Sequence, residues 1–170
     1  MRRIAALTRN PVAIALIATL AVAGCRTKQI PNTAADLGLG GAAGAAGAPG
    51  SRQEFTVSIG DRIFFDTDSS VIRPDAQATL TRQAQWLNQY PSYSITIEGH
   101  ADERGTREYN LALGARRAAA TRDFLVAQGV AASRIHTISY GKERPVATCD
   151  DISCWSQNRR AVTVLGGAGS

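Results

Sequence analysis

One acid and one arginine stand out in this 170-residue chain, because each occupies a position where its charge needs a partner. Asp102 lies in a loop before a predicted helix. Arg117 falls in the middle of the apolar stripe of that helix, with Asn110 beside it, when the sequence is placed on a helical wheel at about 100° per residue. A guanidinium directed towards a core is costly unless an anion meets it, and a carboxylate fits its planar fork of donors best.

Spacing alone leaves two interpretations of Asp102 and Arg117 open. In the first, the two side chains form a structural salt bridge at the edge of the helix, as half-buried charges often do. In the second, they hold opposite ends of a small zwitterionic ligand, with its carboxylate on Arg117 and its ammonium on Asp102. The sequence therefore predicts either an internal ion pair or a ligand site at this helix.

The segment that carries Arg117 resembles the helix pattern of the OmpA-like peptidoglycan-binding domain, N-x-x-L-S-x-x-R-A-x-x-V-x-x-x-L. Gly114 replaces the usual Ser and Thr121 the usual Val, and both are small residues on the buried stripe. The preceding loop resembles the family's G-H-x-D signature, with Asp102 at the acid position. The matching helix residues are Asn110, Leu113, Arg117, Ala118 and Leu125, and further matching blocks are Phe64-Phe65-Asp66, residues 139–145 and residues 158–162. Five blocks in the family's order, over roughly residues 54 to 165, argue against a chance match.

The resemblance implies a ligand, the meso-diaminopimelate of the peptidoglycan stem peptide, held without covalent bonds. Arg117 would fork onto a diaminopimelate carboxylate, and Asp102 would engage the side-chain ammonium. Phe65 and Leu113 are either pocket residues or plain core, and Asp66 is either a pocket residue or a turn former. The candidate ligand-binding residues are Phe65, Asp66, Asp102, Asn110, Leu113 and Arg117.

Two other classes of function compete with ligand binding. The resemblance implies protein partners as well, TolB and other Tol-system proteins, and we expect Glu103 and Arg104 to contact them. An enzyme would need a nucleophile, an acid/base pair or a metal. His100 lies near Asp102, but His136 is the only other histidine, and neither G-x-S-x-G nor H-E-x-x-H occurs. We therefore expect no catalysis, no metal and no cofactor.

The N-terminus has the pattern of a bacterial lipoprotein leader, predicted over residues 1–24. Three arginines precede an apolar run from Pro11 to Ala23, which is too short to span a bilayer, where about 20 apolar residues are needed. The sequence Val22-Ala23-Gly24-Cys25 resembles a lipobox, which implies diacylglycerol on the Cys25 thiol and an acyl chain such as palmitate on its freed amine. The alternative is an ordinary signal peptide with an incidental cysteine.

The residue after the lipobox bears on location. In bacterial lipoproteins an aspartate there often signals retention in the inner membrane, and this chain has Arg26. The resemblance therefore implies an outer-membrane anchor with the protein facing the periplasm. Without the three leader arginines, 16 of the 19 basic residues remain against 14 acidic ones. A net charge near +2 does not predict nucleic-acid binding.

Residues 25–51 are rich in glycine and alanine and have few large side chains. Such a segment cannot bury enough surface to offset its ordering entropy, so it predicts a flexible tether. An alanine-rich helix is the alternative, weakened by a glycine at nearly every third position towards its end.

Two cysteines remain if Cys25 carries lipid. In an exported protein, an even remainder predicts a disulfide, here between Cys149 and Cys154. Two free thiols are the main alternative. A zinc site fits less well, because the pair has no second pair or histidines at metal spacing.

Residues 52–170 have the length of one domain with a single core. Apolar alternation predicts strands at 54–59, 62–65, 94–98, 135–140 and 161–165. Helical spacing predicts a helix from Pro74 to just before Pro91 and a second one that carries Arg117 and ends near Gly129. This order predicts an α/β two-layer sandwich, a mixed sheet covered on one face by helices, with Asp66 and Asp102 in loops beyond strand ends.

Overall fold

A computed structural model of the chain describes residues 47–168. The leader, Cys25 and most of the predicted tether lie outside these residues. None of the described helices is long and apolar enough to cross a membrane. In chain order, the elements are α1 (Arg52–Glu54) running into a π-helical segment (Phe55–Gly60), β1 (Arg62–Phe64), α2 (Pro74–Gln89), β2 (Tyr93–His100), α3 (Arg107–Ala127), a 3-10 turn (Ala132–Arg134), β3 (Ile135–Gly141), α4 (Ile152–Asn158) and β4 (Arg160–Ala168).

The four strands form one mixed sheet in the order β1-β4-β2-β3. Strand β4 runs antiparallel to both of its neighbours, β1 and β2, whereas β2 and β3 are parallel. The carboxyl ends of β1, β2 and β3 therefore meet at one edge of the sheet, where β4 begins. This edge carries the loops that hold the predicted site.

The long helices cover one face of the sheet, as predicted. Helix α2 packs on β1, and α3 packs on β2 and β3. Along β2 the residues Ile95 and Ile97 are fully buried in the same core as Leu80 and Leu125 of the two helices. Thr96, which lies between them on β2, and Glu98, which follows Ile97, are partly exposed. The α/β two-layer fold is confirmed.

A close approach of backbones fixes α3 against β2. A Cβ atom added at Gly99 would lie 1.9 Å from the Gly114 carbonyl oxygen, and one added at Gly114 would lie 2.4 Å from Ser139 Oγ. Side chains at these two positions would push the helix away from the sheet. The glycine pair thus seats α3 and sets the depth of Arg117, which follows Gly114 by three residues.

The strand predicted at 54–59 is wrong, because this segment is helical. The Ser51 hydroxyl accepts a hydrogen bond from Glu54 N at 3.1 Å. The Glu54 carboxylate accepts one from Gly50 N at 2.7 Å and another from the Trp86 indole at 2.8 Å. Ser51 to Glu54 is a capping-box sequence, S-x-x-E, which starts helices. Its local signal outweighs the apolar alternation that follows it.

The end of the predicted tether contacts the domain. Tyr93 Oη donates to the Gly50 carbonyl at 2.8 Å, and the Tyr90 ring lies against Gly50.

Helix α4 was not predicted from the sequence. Asp151 caps it by accepting from Ser153 N at 2.7 Å.

Candidate functional site

An open cavity of about 310 Å³ lies at the edge of the sheet where β1 and β2 end. Three segments line it: the loop after β1, the loop after β2, and the first half of α3. The lining residues are Thr67, Asp68, Asp102, Arg104, Gly105, Tyr109, Asn110, Leu113 and Arg117. Four of the six predicted ligand-binding residues, Asp102, Asn110, Leu113 and Arg117, therefore meet at one cavity.

Arg117 is fully buried and is held by three backbone carbonyls. Its Nε donates to Ser69 at 2.8 Å, Nη1 to His100 at 2.8 Å and Nη2 to Asp66 at 3.0 Å. A guanidinium has five N–H groups, so one N–H on each terminal nitrogen has no acceptor among the described residues. Two such donors are the number that a bidentate carboxylate accepts.

The charge of Arg117 survives its burial. Desolvation lowers the pKa of its guanidinium to about 10, against the opposing effect of the nearby Asp102 charge, while Arg159 adds to the lowering. The guanidinium centre also lies 5.2 Å from the centroid of the Phe65 ring, within the range of a cation–π contact. At neutral pH the cavity therefore borders on a full, desolvated positive charge.

Asp102 pairs with two arginines, and neither is Arg117. Arg104 forks onto its carboxylate, with Nη2 to Oδ2 at 2.7 Å and Nε to Oδ1 at 3.1 Å, and Arg159 Nη1 donates to Oδ2 at 3.2 Å. Burial raises the pKa of Asp102, but the hydrogen bonds from Arg104 and Arg159 outweigh it, so the net pKa lies below its ordinary value.

The direct salt bridge between Asp102 and Arg117, one of the two interpretations of the sequence, is absent from the described residues. The physical reason is that three fixed carbonyls already hold the Arg117 guanidinium in place, as described above. The two charged groups instead border the same cavity from different elements, α3 and the loop after β2.

Arg159 is a buried site residue that the sequence analysis did not single out. It joins two strand ends, because its Nε also donates to the Phe65 carbonyl at 3.2 Å. The signal was present: Arg159 directly precedes the apolar strand β4, and an arginine at the mouth of a buried strand needs an anion.

Phe65 and Asp66 contribute to the site without lining the cavity. The Phe65 ring is buried beneath Arg117. The Asp66 carboxylate is exposed and pairs with Arg73 at 3.4 Å, so only its carbonyl faces Arg117. Thr67 and Asp68 line the cavity where Phe65 and Asp66 were predicted to do so. The sequence feature that could have indicated them is their position one and two residues after Asp66, in the same turn.

The loop after β2 is braced on several sides. Asn110 Nδ2 donates to the Arg104 carbonyl at 2.6 Å, and Lys142 Nζ donates to the Gly105 carbonyl at 2.7 Å. The Arg104 guanidinium lies 4.2 Å from the centroid of the Trp155 ring, and the Trp155 indole donates to the Glu103 carboxylate. The side chains predicted to contact partners, Glu103 and Arg104, are thus tied to α4.

The structure joins Cys149 to Cys154 by a disulfide, with their Cα atoms 5.6 Å apart. Cys154 is buried and immediately precedes Trp155 in α4. The disulfide therefore closes the loop that leads into α4 and holds the first turn of this helix, which supports Arg104 through Trp155.

His100 lies at the end of β2, next to the site. Its ring is buried, and neither ring nitrogen has a hydrogen-bond partner among residues 47–168. The nearest carboxylate oxygen, on Glu98, is 3.6 Å from Nε2. Desolvation, followed by the charges of Arg160 and Arg144, lowers the pKa of His100 to about 4. The imidazole is thus neutral at neutral pH.

Comparisons with known proteins agree on one family. The model of the OmpA family matches residues 64–159. A protein of Mesorhizobium japonicum named peptidoglycan-associated lipoprotein is 78% identical over 170 residues, all of both chains. One of Rhizobium meliloti with the same name is 75% identical, covering 99% of this chain and 94% of its own.

Solved structures share the fold. The crystal structure of the peptidoglycan-associated lipoprotein from Burkholderia pseudomallei is 45% identical, with a TM-score of 0.61 over 62% of this chain and 90% of that one. The C-terminal domain of Helicobacter pylori MotB, at 24% identity and a TM-score of 0.59, covers 63% of this chain and 84% of its own. At that identity the likeness shows the fold alone.

Proposed function

The chain belongs to the OmpA family, and from this premise we propose that it binds peptidoglycan without covalent bonds, through the diaminopimelate of the stem peptide. The observation that carries the proposal is the pair of Arg117 N–H groups that have no acceptor within residues 47–168, beside a cavity that Asp102 also borders. A carboxylate on Arg117 and an ammonium on Asp102 would each gain a charge-assisted hydrogen bond. Diaminopimelate carries both groups on one end.

The names of close relatives support this function and a further role. Those relatives are called peptidoglycan-associated lipoproteins, which are not enzymes by name. We propose that this protein is likewise lipidated at Cys25, that it is anchored in the outer membrane facing the periplasm, and that it tethers that membrane to the wall within the Tol–Pal envelope and cell-division system. Its role is binding and not catalysis.

Peptide titration tests the ligand. A stem peptide that contains diaminopimelate is titrated into the full-length chain in mild detergent, beside the same peptide with lysine in its place. We expect binding of the first peptide only, because lysine lacks the second carboxylate that Arg117 would bind. Near-equal affinities for the two peptides would overturn the proposal.

Two variants test the roles of the charges. Arg117→Lys keeps a charge but loses the fork, and Asp102→Asn keeps the shape but loses the anion. Each change should weaken binding about ten- to a hundredfold, the value of one charge-assisted contact. Arg134→Lys is the matched control, because Arg134 also donates to three backbone carbonyls, at the start of β2 and the end of α2. Its binding should equal that of the wild type.

Tol-system proteins are the second kind of partner that we propose, on the surface that carries Glu103 and Arg104. The observation that favours it is that both side chains are exposed and both contact Trp155. Isolated peptidoglycan sacculi should pull down the protein, and soluble TolB should compete. If saturating TolB does not diminish the pulldown, TolB and peptidoglycan bind different surfaces of the protein.

The lipid anchor has its own test. Cys25→Ala should release the protein from membranes while leaving the domain folded, because acyl chains on that residue would be its anchor. Fractionation after a high-salt wash measures this. A variant that still sediments with the outer membrane would contradict lipidation at Cys25.

A further inference from the structure

The Asp102 carboxylate has no vacant acceptor position in this structure. Its Oδ1 accepts from Arg104 N at 3.3 Å and from Arg104 Nε at 3.1 Å. Its Oδ2 accepts from Arg104 Nη2 at 2.7 Å and from Arg159 Nη1 at 3.2 Å. An ionised carboxylate offers about four lone-pair positions, so all of them are used. A ligand ammonium can therefore reach Asp102 only if one of these donors leaves.

The two arginines differ in how easily they can leave. The Arg159 side chain is 8% exposed and also donates to the Phe65 carbonyl. Its departure would therefore break that hydrogen bond and leave a buried carbonyl without its donor. The Arg104 side chain is 40% exposed and lines the cavity itself. Rotation of its side chain breaks both guanidinium contacts with Asp102 and leaves the backbone hydrogen bond in place.

The Trp155 ring could hold the Arg104 guanidinium after it leaves Asp102. The Arg104 guanidinium already lies 4.2 Å from the centroid of the indole ring. A cation–π contact tolerates sliding across the ring face better than a forked hydrogen bond does, because it lacks fixed donor–acceptor directions. The Glu103 carboxylate, which accepts from the same indole, supplies a negative charge beside that face.

We propose that Arg104 is a built-in competitor, which occupies on Asp102 the place of the ligand's ammonium and is displaced when the ligand binds. The inference rests on the proposed diaminopimelate site and adds its regulation. Arg104 neutralises the Asp102 charge in the empty site, and a ligand whose ammonium binds Asp102 must displace it, which lowers that ligand's affinity. A group that brings a carboxylate but no ammonium has no reason to displace it.

The test compares two probes on two variants of the full-length chain. The probes are the diaminopimelate stem peptide and the same peptide acetylated on its side-chain amine. In Arg104→Ala the competitor is gone, so affinity for the free amine should rise about tenfold. Affinity for the acetylated peptide should change by less than about twofold, because that peptide makes no use of Asp102.

Arg107→Ala is the matched control for lost charge. Arg107 lies three residues from Arg104, is exposed and pairs with Glu143 at 3.1 Å, away from Asp102. Its binding of both probes should equal that of the wild type. Thermal unfolding of each variant would check that the domain is folded.

The outcomes separate this inference from the proposed function. If the wild type binds neither probe, the diaminopimelate site itself is wrong. If the wild type binds the free amine and Arg104→Ala binds it equally or more weakly, only the competitor is wrong. A crystal structure of the complex gives a second readout: the Arg104 guanidinium should lie beyond hydrogen-bond distance of Asp102, and a retained fork beside bound ligand would overturn the inference.

Discussion

Arg117 and Arg134 make the same kind of contact at opposite ends of β2. Each donates side-chain N–H groups to three backbone carbonyls, and each has its pKa lowered by desolvation. Arg117 binds near the carboxyl end of the strand, where the cavity lies. Arg134 binds at the amino end of the strand, and its acceptors are the carbonyls of Leu87, Tyr90 and Tyr93.

The difference lies in what surrounds the two guanidinium groups. Arg134 is half-buried and holds the end of α2, where helix carbonyls lack partners within the helix, to the start of β2. Arg117 is fully buried, joins three segments and also feels the charge of Asp102 across a cavity. The number of hydrogen bonds therefore does not separate a structural arginine from one that we propose binds a ligand. The space and charge beside the remaining donors do.

The largest expected effect is that of Arg117→Ala. It leaves three carbonyls at a buried position without their donors and opens a cavity on the Phe65 ring face that Arg117 covers, so the free energy of unfolding should fall by about 3 to 5 kcal/mol. Urea unfolding measures the change. If Arg117→Ala lowers the free energy of unfolding by less than Arg134→Ala does, the contrast drawn between the two arginines is wrong.

Arg134→Ala should lower the free energy of unfolding by about 2 to 3 kcal/mol, because Arg134 is only half-buried and water can replace its donors in part. Binding of the diaminopimelate peptide should stay at the wild-type value. Calorimetric titration beside urea unfolding tests both statements. Weaker binding in this variant would show that the two ends of β2 are coupled.

Replacing Cys149 and Cys154 with Ser should lower the free energy of unfolding by about 1 to 3 kcal/mol, since the closed loop is short. The loss of stability should be concentrated around α4, which supports Arg104 next to the cavity. Binding of peptidoglycan should persist. Hydrogen exchange of α4 against that of α2 locates the loss. Two alkylatable thiols in the protein isolated from cells would contradict the disulfide on which this prediction rests.

The pH dependence should also be confined to the cavity end. The folded pKa of His100, about 4, lies below its ordinary value of 6.5, so the neutral ring stabilises the fold fully above pH 6.5. That stability is lost as the pH falls from 6.5 through 4. Asp102, whose folded pKa is also lowered, adds a loss only below its ordinary value of 3.8.

His100→Phe tests this assignment. The variant should flatten the dependence of urea midpoints on pH between 6.5 and 4, because the phenyl ring fills the site without taking up a proton. An unchanged slope would place the acid sensitivity elsewhere. His136→Phe is the control, because His136 is exposed on β3.

The sequence predicted the helix of Arg117 well because several local signals agree. Apolar periodicity, the Thr106 cap, which accepts from Tyr109 N at 3.2 Å, and Gly129 with φ at 92° all point to one element. The start of the domain was mispredicted because two signals conflicted. The capping box at Ser51 competes with a run of alternating apolar residues, and packing of Phe55 on Trp86 favours the helix.

The charge partners could not be predicted from the sequence in the same way. Asp102 is paired with Arg159, 57 residues away, and Arg117 with carbonyls whose positions depend on two loops. Backbone carbonyls exist at every residue, so the sequence carries no mark of the ones that will bind a guanidinium. The pattern indicated that Arg117 needs acceptors, and only the fold selects them.

The two ends of β2 also define a mechanical axis. Gly50, where the chain from the proposed membrane anchor enters, is held by Tyr93 at the first residue of the strand, and Arg117 is held by the carbonyl of His100 at the last. A pull between membrane and wall would then run along the strand. Sheet hydrogen bonds lie across that direction, so they would share the load in shear rather than open one after another.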